Sequence, residues 1–424
     1  MLILFLVFKC RISKKICPIY WKKSMKTGYC IKTIKYKLRC SHPEWLTETE
    51  KYYIQVLDFY FRLLLEHEEI WELNVLQMQG ALERLTIAGR DGRVPERPLP
   101  FDRVPVYFRR SAINKASASL KSYTEKYKNS GDDLVYTIPD TIDASVTYFK
   151  GMYKDFKENR ISLKVWDGNK WNWMDCRLKG QSIPEVGLML SPTVVFKEKE
   201  FWLHVPVKQQ TEDARNAKER MKNREHVCSV QFTNTDIFAM CCILDADGKQ
   251  KAVYSCRGGD AYRSKCKVLL EKIEKSRVYT DKDNAAQPNH KYYLRLKNLS
   301  EHYAHQVSRE IVDFCVRGEA RVIVIPSYDK EFSKMVQYRS GMYSPLYLGS
   351  RIREFLKYKA WSVGIVVLEL SAEGTSSRCF VCGGKIKKNG AMFECENGHQ
   401  GSRFLNSARN LGVKCLKDFE RKRK

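Results

Sequence analysis

Four residues near the C-terminus have the types and spacing of a metal site. In CFVCGGKIKKNGAMFECENGH, Cys379 and Cys382 form a Cys-x-x-Cys knuckle, and Cys395 and His399 follow a short hairpin-like spacer. Three thiolates and an imidazole close a tetrahedral zinc shell with no open position, the pattern of a structural ion. Gly383 and Gly384 let the chain turn back toward the ion, and the intervening lysines give the outer surface a basic face. The bland alternative is a free cysteine pair beside a surface histidine. No second constellation competes with this one. The 8 histidines are scattered, and His302 and His305, at i, i+3 on a helix, fit packing or surface roles better than a metal pair. No Ser/His/Asp set or Cys/His nucleophile emerges from spacing.

The elements that must hold such a site belong to a long, basic chain. Its 424 residues allow two to four domains. Lys and Arg number 75 against 49 Asp and Glu, a net charge of +26. Such an excess repels itself in a compact monomer unless a polyanion shares the surface. Nucleic acid is the obvious polyanion, since each neutralised phosphate releases counterions. An anionic membrane is the weaker rival, because no basic amphipathic helix with Trp and Leu anchors is visible. The 15 cysteines lack the framework of a secreted disulfide protein and imply a reducing, cytoplasmic setting. The opening MLILFLVF is too short to span a bilayer and carries its positive charge after the apolar run. Met25 is the more natural start, which makes residues 1–24 an extension or a mis-called start.

Alternation over Cys30–Leu38 predicts a first strand. A helix follows, with Thr47 and Glu50 as a capping box and Tyr53, Val56, Leu57, Tyr60, Leu63 and Leu64 at helical spacing. A second helix is expected over Trp71–Thr86. A third, over Tyr107–Asn129, has Ile113, Ala116, Leu120 and Tyr123 inward and Arg109, Arg110, Lys115 and Lys121 outside. Residues 133–207 read as strands, with the hairpin ISLKVWDGNKWNWMDCRL turning at Asp167-Gly168. Strands flanking helices suggest a small barrel with a helical insertion. Residues 211–226 read as a polar helix or linker, which places the main domain boundary there. Beyond it come two strands joined by Asp-Ala-Asp-Gly, a basic helix over about Asp260–Lys275, a second helix, the apolar strand RVIVIPSY, a helix at 349–359 and the strand SVGIVVLELS. Continuous apolar runs of this kind are strands buried on both faces, so this half is an α/β core.

The run SSRCFVCGG…FECENGHQGSRFLNSARNLG, together with FRRSAINKA, resembles the transposon-encoded TnpB proteins and the miniature type V CRISPR effectors. The resemblance covers roughly residues 25–424. It implies a multidomain α+β fold. Residues 25–44 and 130–207 would form a wedge-like β-barrel, 45–129 an inserted helical recognition domain and 208–226 a linker helix. Residues 227–374 with 403–424 would form a RuvC-like, RNase H-like core, and 375–402 an inserted zinc ribbon. Members of this family bind a guide RNA and use it to find matching DNA.

A RuvC-like centre needs carboxylates around two divalent ions that clamp the scissile phosphate. The resemblance implies a first acid on the first core strand, where this chain has Gln231. The second belongs at the end of the buried strand, where it has Pro326 or Ser327, depending on register. The third belongs on the last helix, where Phe404 stands. An amide, a Pro or Ser, and a phenyl ring do not hold hard cations that prefer oxygen anions. The acids nearest these positions are Asp236, Asp329 and Glu331. No catalytic Mg is expected. The expected nucleic-acid contacts are Arg109, Arg110, Asn114, Lys115, Lys121, Arg257, Arg263, Lys265, Lys267 and Arg409, with the basic tail from Lys414 as a solubilising end or further contact.

The implied function is an RNA-guided, nuclease-dead binder of double-stranded DNA that opens an R-loop and regulates, chiefly represses, transcription in the prokaryotic nucleoid. A second copy or a transcription factor is a further partner; no membrane is involved. Two alternatives stand beside it: a divergent but active RNA-guided endonuclease, and a guide-free nucleic-acid-binding accessory protein.

Overall fold

The computed structural model describes residues 28–89, 91–128, 144–157, 159–180, 187–197, 199–222, 225–278, 289–328, 334, 335, 338, 339, 341 and 343–421. The expectations for residues 1–24, Met25, Asp329, Glu331 and the last basic residues, Lys422 and Arg423, lie outside them. The chain divides into two compact units. One is residues 31–209; the other joins the segment from Gln210 onward to residues up to Cys30. The described residues of the 211–226 stretch fall in the unit that begins at Gln210.

The first unit is built on a seven-stranded sheet. Its strands are β1 (Tyr29–Cys40), β2 (Tyr153–Lys157), β3 (Arg160–Trp166), β4 (Trp171–Lys179), β5 (Leu188–Met189), β6 (Thr193–Lys197) and β7 (Glu200–Gln210). Their order is β2-β3-β4-β1-β7-β5, with β6 also on β7. Among the described residues no ladder joins β2 to β5, so this is a half-barrel rather than the closed barrel expected. The β3–β4 hairpin turns where Asp167 Oδ1 accepts the amides of Asn169 and Lys170, both at 2.8 Å, and Gly168 takes φ 102°. That left-handed conformation costs glycine nothing.

Three helices cover one face of this sheet. The first spans Pro43–Glu66, one turn earlier than the expected capping box. Pro43 sits at the start, where its missing N–H is no loss, so Thr47 and Glu50 lie inside the helix. The second spans Val75–Thr86 and starts later than expected, because Asn74 and Gln77 make a reciprocal capping box. The third spans Val106–Lys128. Tyr53, Val56, Leu57, Tyr60, Phe61 and Leu64 meet Ile113, Ala116 and Leu120 in one core with Ile161, Leu163 and Val165 of the sheet.

The second unit is a mixed five-stranded sheet in the order β10-β9-β8-β11-β12: β8 (Val227–Phe232), β9 (Ile237–Leu244), β10 (Gln250–Arg257), β11 (Val322–Ser327) and β12 (Val366–Ser371). Three strands stand where two were expected. The overlooked turn is polar, with Thr233 Oγ1 and Thr235 Oγ1 hydrogen-bonded at 2.9 Å. β11 runs parallel to both β8 and β12. Helices Gly259–Val278, His290–Arg317 and Pro345–Ser362 contribute to the core on one face. The last of these begins at the Ser344 cap, earlier than expected. The other face takes the C-terminal helix Arg403–Arg421 through Leu411 and Cys415. Gly412 allows that approach: a Cβ there would lie 2.6 Å from Leu244 Cδ1.

Among the described residues of the expected polar helix or linker, Ala217–Arg220 are helical. Arg220 is 1% exposed, with its guanidinium 3.6 Å from the Trp361 ring centroid and Nη1 donating to the Trp361 carbonyl at 3.0 Å. A buried arginine this fully hydrogen-bonded fixes the segment to the core. Among the described residues no helix is long and apolar enough to cross a membrane.

Candidate metal centre and strand-end site

Between β12 and the last helix, β13 (Ile386–Asn389), β14 (Met392–Cys395) and β15 (Gln400–Ser402) form a small antiparallel sheet. It brings Cys379, Cys382, Cys395 and His399 together, with all four ligand atoms within 4.8 Å of one another. Cys382 Sγ lies 3.6 Å from Cys395 Sγ, which lies 3.4 Å from His399 Nδ1. Zinc bonds of about 2.3 Å to sulfur and 2.0–2.1 Å to nitrogen give tetrahedral edges of about 3.8 and 3.5 Å, so the donor set fits the ion.

The supporting hydrogen bonds favour the thiolates. Asn397 Nδ2 donates to Cys382 Sγ and Asn397 N to Cys395 Sγ, both at 3.3 Å. The Asn397 amide, with help from Gly384 N–H, holds the Cys382 thiol down at about 6, whereas burial pushes Cys395 up. The last helix grips the ribbon's root through its Asn-Ser-Ala-Arg-Asn run. Asn406 Oδ1 accepts Phe380 N and its Nδ2 donates to Arg378 O, both at 2.8 Å; Asn410 Nδ2 donates to Thr375 O at 2.9 Å. Spaced i, i+4, both amides fall on one helix face.

The carboxyl ends of β8 and β11 form a second candidate site, the usual place for ligands in open α/β sheets. Gln231 is half-buried, and its Nε2 donates to Phe232 O at 3.0 Å and reaches Tyr328 Oη at 3.5 Å. Pro326 is buried within β11, and Ser327 ends it. Phe404 is buried on the last helix, with the Arg403 guanidinium 4.8 Å above its ring. Arg353, unnoticed in the sequence, projects from the helix Pro345–Ser362. Its guanidinium lies 5.2 Å from the Phe232 ring and 5.6 Å from Tyr328, and its buried Nε has no hydrogen-bond partner. Burial lowers its pKa. Asp236 is committed elsewhere: its Oδ1 accepts Asp260 N at 3.3 Å at the start of the helix Gly259–Val278.

Several cations expected to face a ligand are committed within the chain. Arg109 is buried rather than outside the stripe, and it shares Glu83 with Arg110 at 3.0 Å each. Lys121 Nζ donates to Leu73 O at 3.2 Å. Arg409 Nε donates to Gln250 Oε1 at 2.7 Å, tying the last helix to β10. Arg263 donates to Asn234 O and pairs with Asp260, and Lys265 reaches Tyr303 Oη at 3.3 Å. Asn114 is half-buried, with Oδ1 lacking a partner. Lys115, Arg257 and Lys267 are exposed. His305 stacks on Phe355 at 3.9 Å, a packing role.

An α+β multidomain architecture with a Cys3His ribbon before its last helix is what comparison with known proteins finds elsewhere. Residues 31–167 match the Aq_aa04 family, and residues 350–411 match the Cas12f1-like TNB domain. A TnpB-like protein of Methanocaldococcus jannaschii is 26% identical over 188 residues, 42% of this chain. The match spans 64% of that protein, just under two thirds of its length. A Cas12f1–sgRNA–target DNA complex shares the fold with TM-score 0.56 and 12% identity, covering 87% of this chain and 81% of that one. The mini-RNA-guided endonuclease CRISPR-Cas_phi3 gives 0.53 at 9% identity over 94% of each chain. In its TNB-domain match, its TnpB-like relative and its fold, the chain resembles the TnpB and miniature type V effector proteins.

Proposed function

We propose that this protein is an RNA-guided DNA-binding protein without nuclease activity, and that it represses transcription by occupying guide-matched duplex DNA. The observation that carries the loss of cutting is the chemistry at the ends of β8 and β11. There a Gln231 amide, a Tyr328 hydroxyl and the Arg353 guanidinium cluster. Two-metal phosphodiester cleavage needs anionic oxygens around divalent ions. A fixed guanidinium in low-dielectric surroundings repels those ions, and Phe404 adds no donor. The expected acids are therefore read as replaced at Gln231, Pro326 or Ser327, and Phe404.

In this reading residues 227–374 and 403–424 are the RuvC-like domain and 375–402 its zinc ribbon. Residues 25–44 and 130–207 are the wedge, around the helical recognition insertion 45–129, and 208–226 lead into the RuvC-like domain. Guidance rests on the resemblance to TnpB-like and miniature type V effector proteins together with the +26 charge. Base pairing supplies target sequence, while the protein reads backbone shape and a short flanking motif. A complex that opens DNA and does not cut it stays in place and obstructs polymerase. The test is purified complex incubated with guide-matched duplex and Mg²⁺. Retained, intact DNA is expected; metal-dependent cleavage would establish the active endonuclease instead.

A further inference from the structure

The solvent face of the half-barrel sheet carries cations directly opposite one another on four strands. Register places Lys157 opposite Arg160, Arg160 opposite Arg177, and Arg177 opposite Arg39, crossing β2, β3, β4 and β1. All four are exposed, and among the described residues no carboxylate pairs with any of them. Neighbouring strands lie about 4.8 Å apart, and like charges directly opposite destabilise a sheet. A row of this kind is relieved by a polyanion.

Further along the same face Lys164 stands opposite Trp173. Trp173 is 42% exposed, with Lys154 Nζ 4.6 Å and Lys164 Nζ 5.9 Å from its ring centroid. The core does not need this indole: Met174, Cys176 and Leu178 of the same strand fill the opposite face. A base stacked on an indole is held more strongly than an exposed lysine in a cation–π contact. A base therefore displaces the lysine from the ring and leaves it beside the strand's phosphates.

We propose that this face binds single-stranded nucleic acid, with an unpaired base on Trp173 and the backbone along Lys157, Arg160, Arg177 and Arg39. The proposal rests on the nucleic-acid-binding reading above and locates one of its contacts. The chemistry is shared by an unpaired stretch of RNA and by a displaced DNA strand, which the test separates.

Full-length protein, freed of co-purifying RNA by high salt, is titrated against fluorescent oligouridylate, oligothymidylate and a short DNA duplex. Trp173→Ala weakens binding of at least one single strand about 10-fold, Trp173→Phe restores most of it, and duplex binding is unchanged. Arg177→Gln lowers the salt slope by about 0.7. Loss confined to oligouridylate assigns the face to RNA; loss confined to oligothymidylate assigns it to DNA. Single-strand binding by Trp173→Ala equal to wild type, or an equal loss on duplex, overturns the proposal while leaving nucleic-acid binding intact. Wild-type protein that binds none of the probes overturns both.

Discussion

The zinc ribbon and the strand ends of the five-stranded sheet lie in the same compact unit, and they treat cations in opposite ways. In the ribbon three thiols and an imidazole converge within 4.8 Å, and Asn397 stabilises their ionised form. At the strand ends an amide, a phenol and a guanidinium converge, with a buried donor left unpartnered. The first arrangement is complementary to a divalent ion and the second is hostile to one. In the function proposed above, a chain that keeps its ribbon ligands and holds fixed positive charge at these strand ends binds nucleic acid without cutting it.

Breaking the ribbon should have the largest effect. Cys379→Ser removes a ligand, so metal analysis should find the bound zinc equivalent lost and proteolysis should cut within 379–402. Asn397→Ala leaves the ligands but removes their orienting amide, and zinc affinity in a chelator competition should fall about 10–100-fold. Asn406→Ala strands Phe380 N at the ribbon root, while Arg378 O keeps its second donor, Asn410 Nδ2, at 2.8 Å. That orphaned amide costs about 1–3 kcal/mol, and Tm should drop by roughly 2–6 °C.

Smaller effects are expected for the buried cations of the helix Pro345–Ser362. Arg353→Met replaces an incompletely satisfied cation with apolar bulk and should leave Tm unchanged or higher. Lys359 differs, because Nζ donates to His305 O at 2.6 Å and Ser308 Oγ at 2.7 Å. Burial, aided by Arg309, pushes its pKa from 10.5 down to about 8. Above pH 8 the folded protein releases this proton while the unfolded chain retains it until about 10.5. This group's contribution to stability therefore rises with pH across that window. The urea midpoint of Lys359→Met relative to wild type should consequently be higher at pH 7.5 than at pH 9.5.

The ribbon was legible because ligand type and spacing are local. Helix cores were legible for the same reason: Tyr53, Val56, Leu57 and Tyr60 repeat at the helical period and are all buried. Contacts between distant segments were not. Nothing near Arg109 in sequence announces Glu83, and nothing near Arg409 announces Gln250. Arg220 read as a polar linker residue because Trp361, which covers it, lies 141 positions away. The Lys157, Arg160, Arg177 and Arg39 row was equally hidden, since a cross-strand row exists only once register is known.

The central claim is tested most directly by sequencing the RNA that co-purifies with the protein and incubating that complex with guide-matched duplex and Mg²⁺. The account predicts one discrete RNA, tight binding and intact DNA. Cut DNA would contradict it and would mean that carboxylates other than those sought at Gln231, Pro326 or Ser327, and Phe404 assemble a working centre.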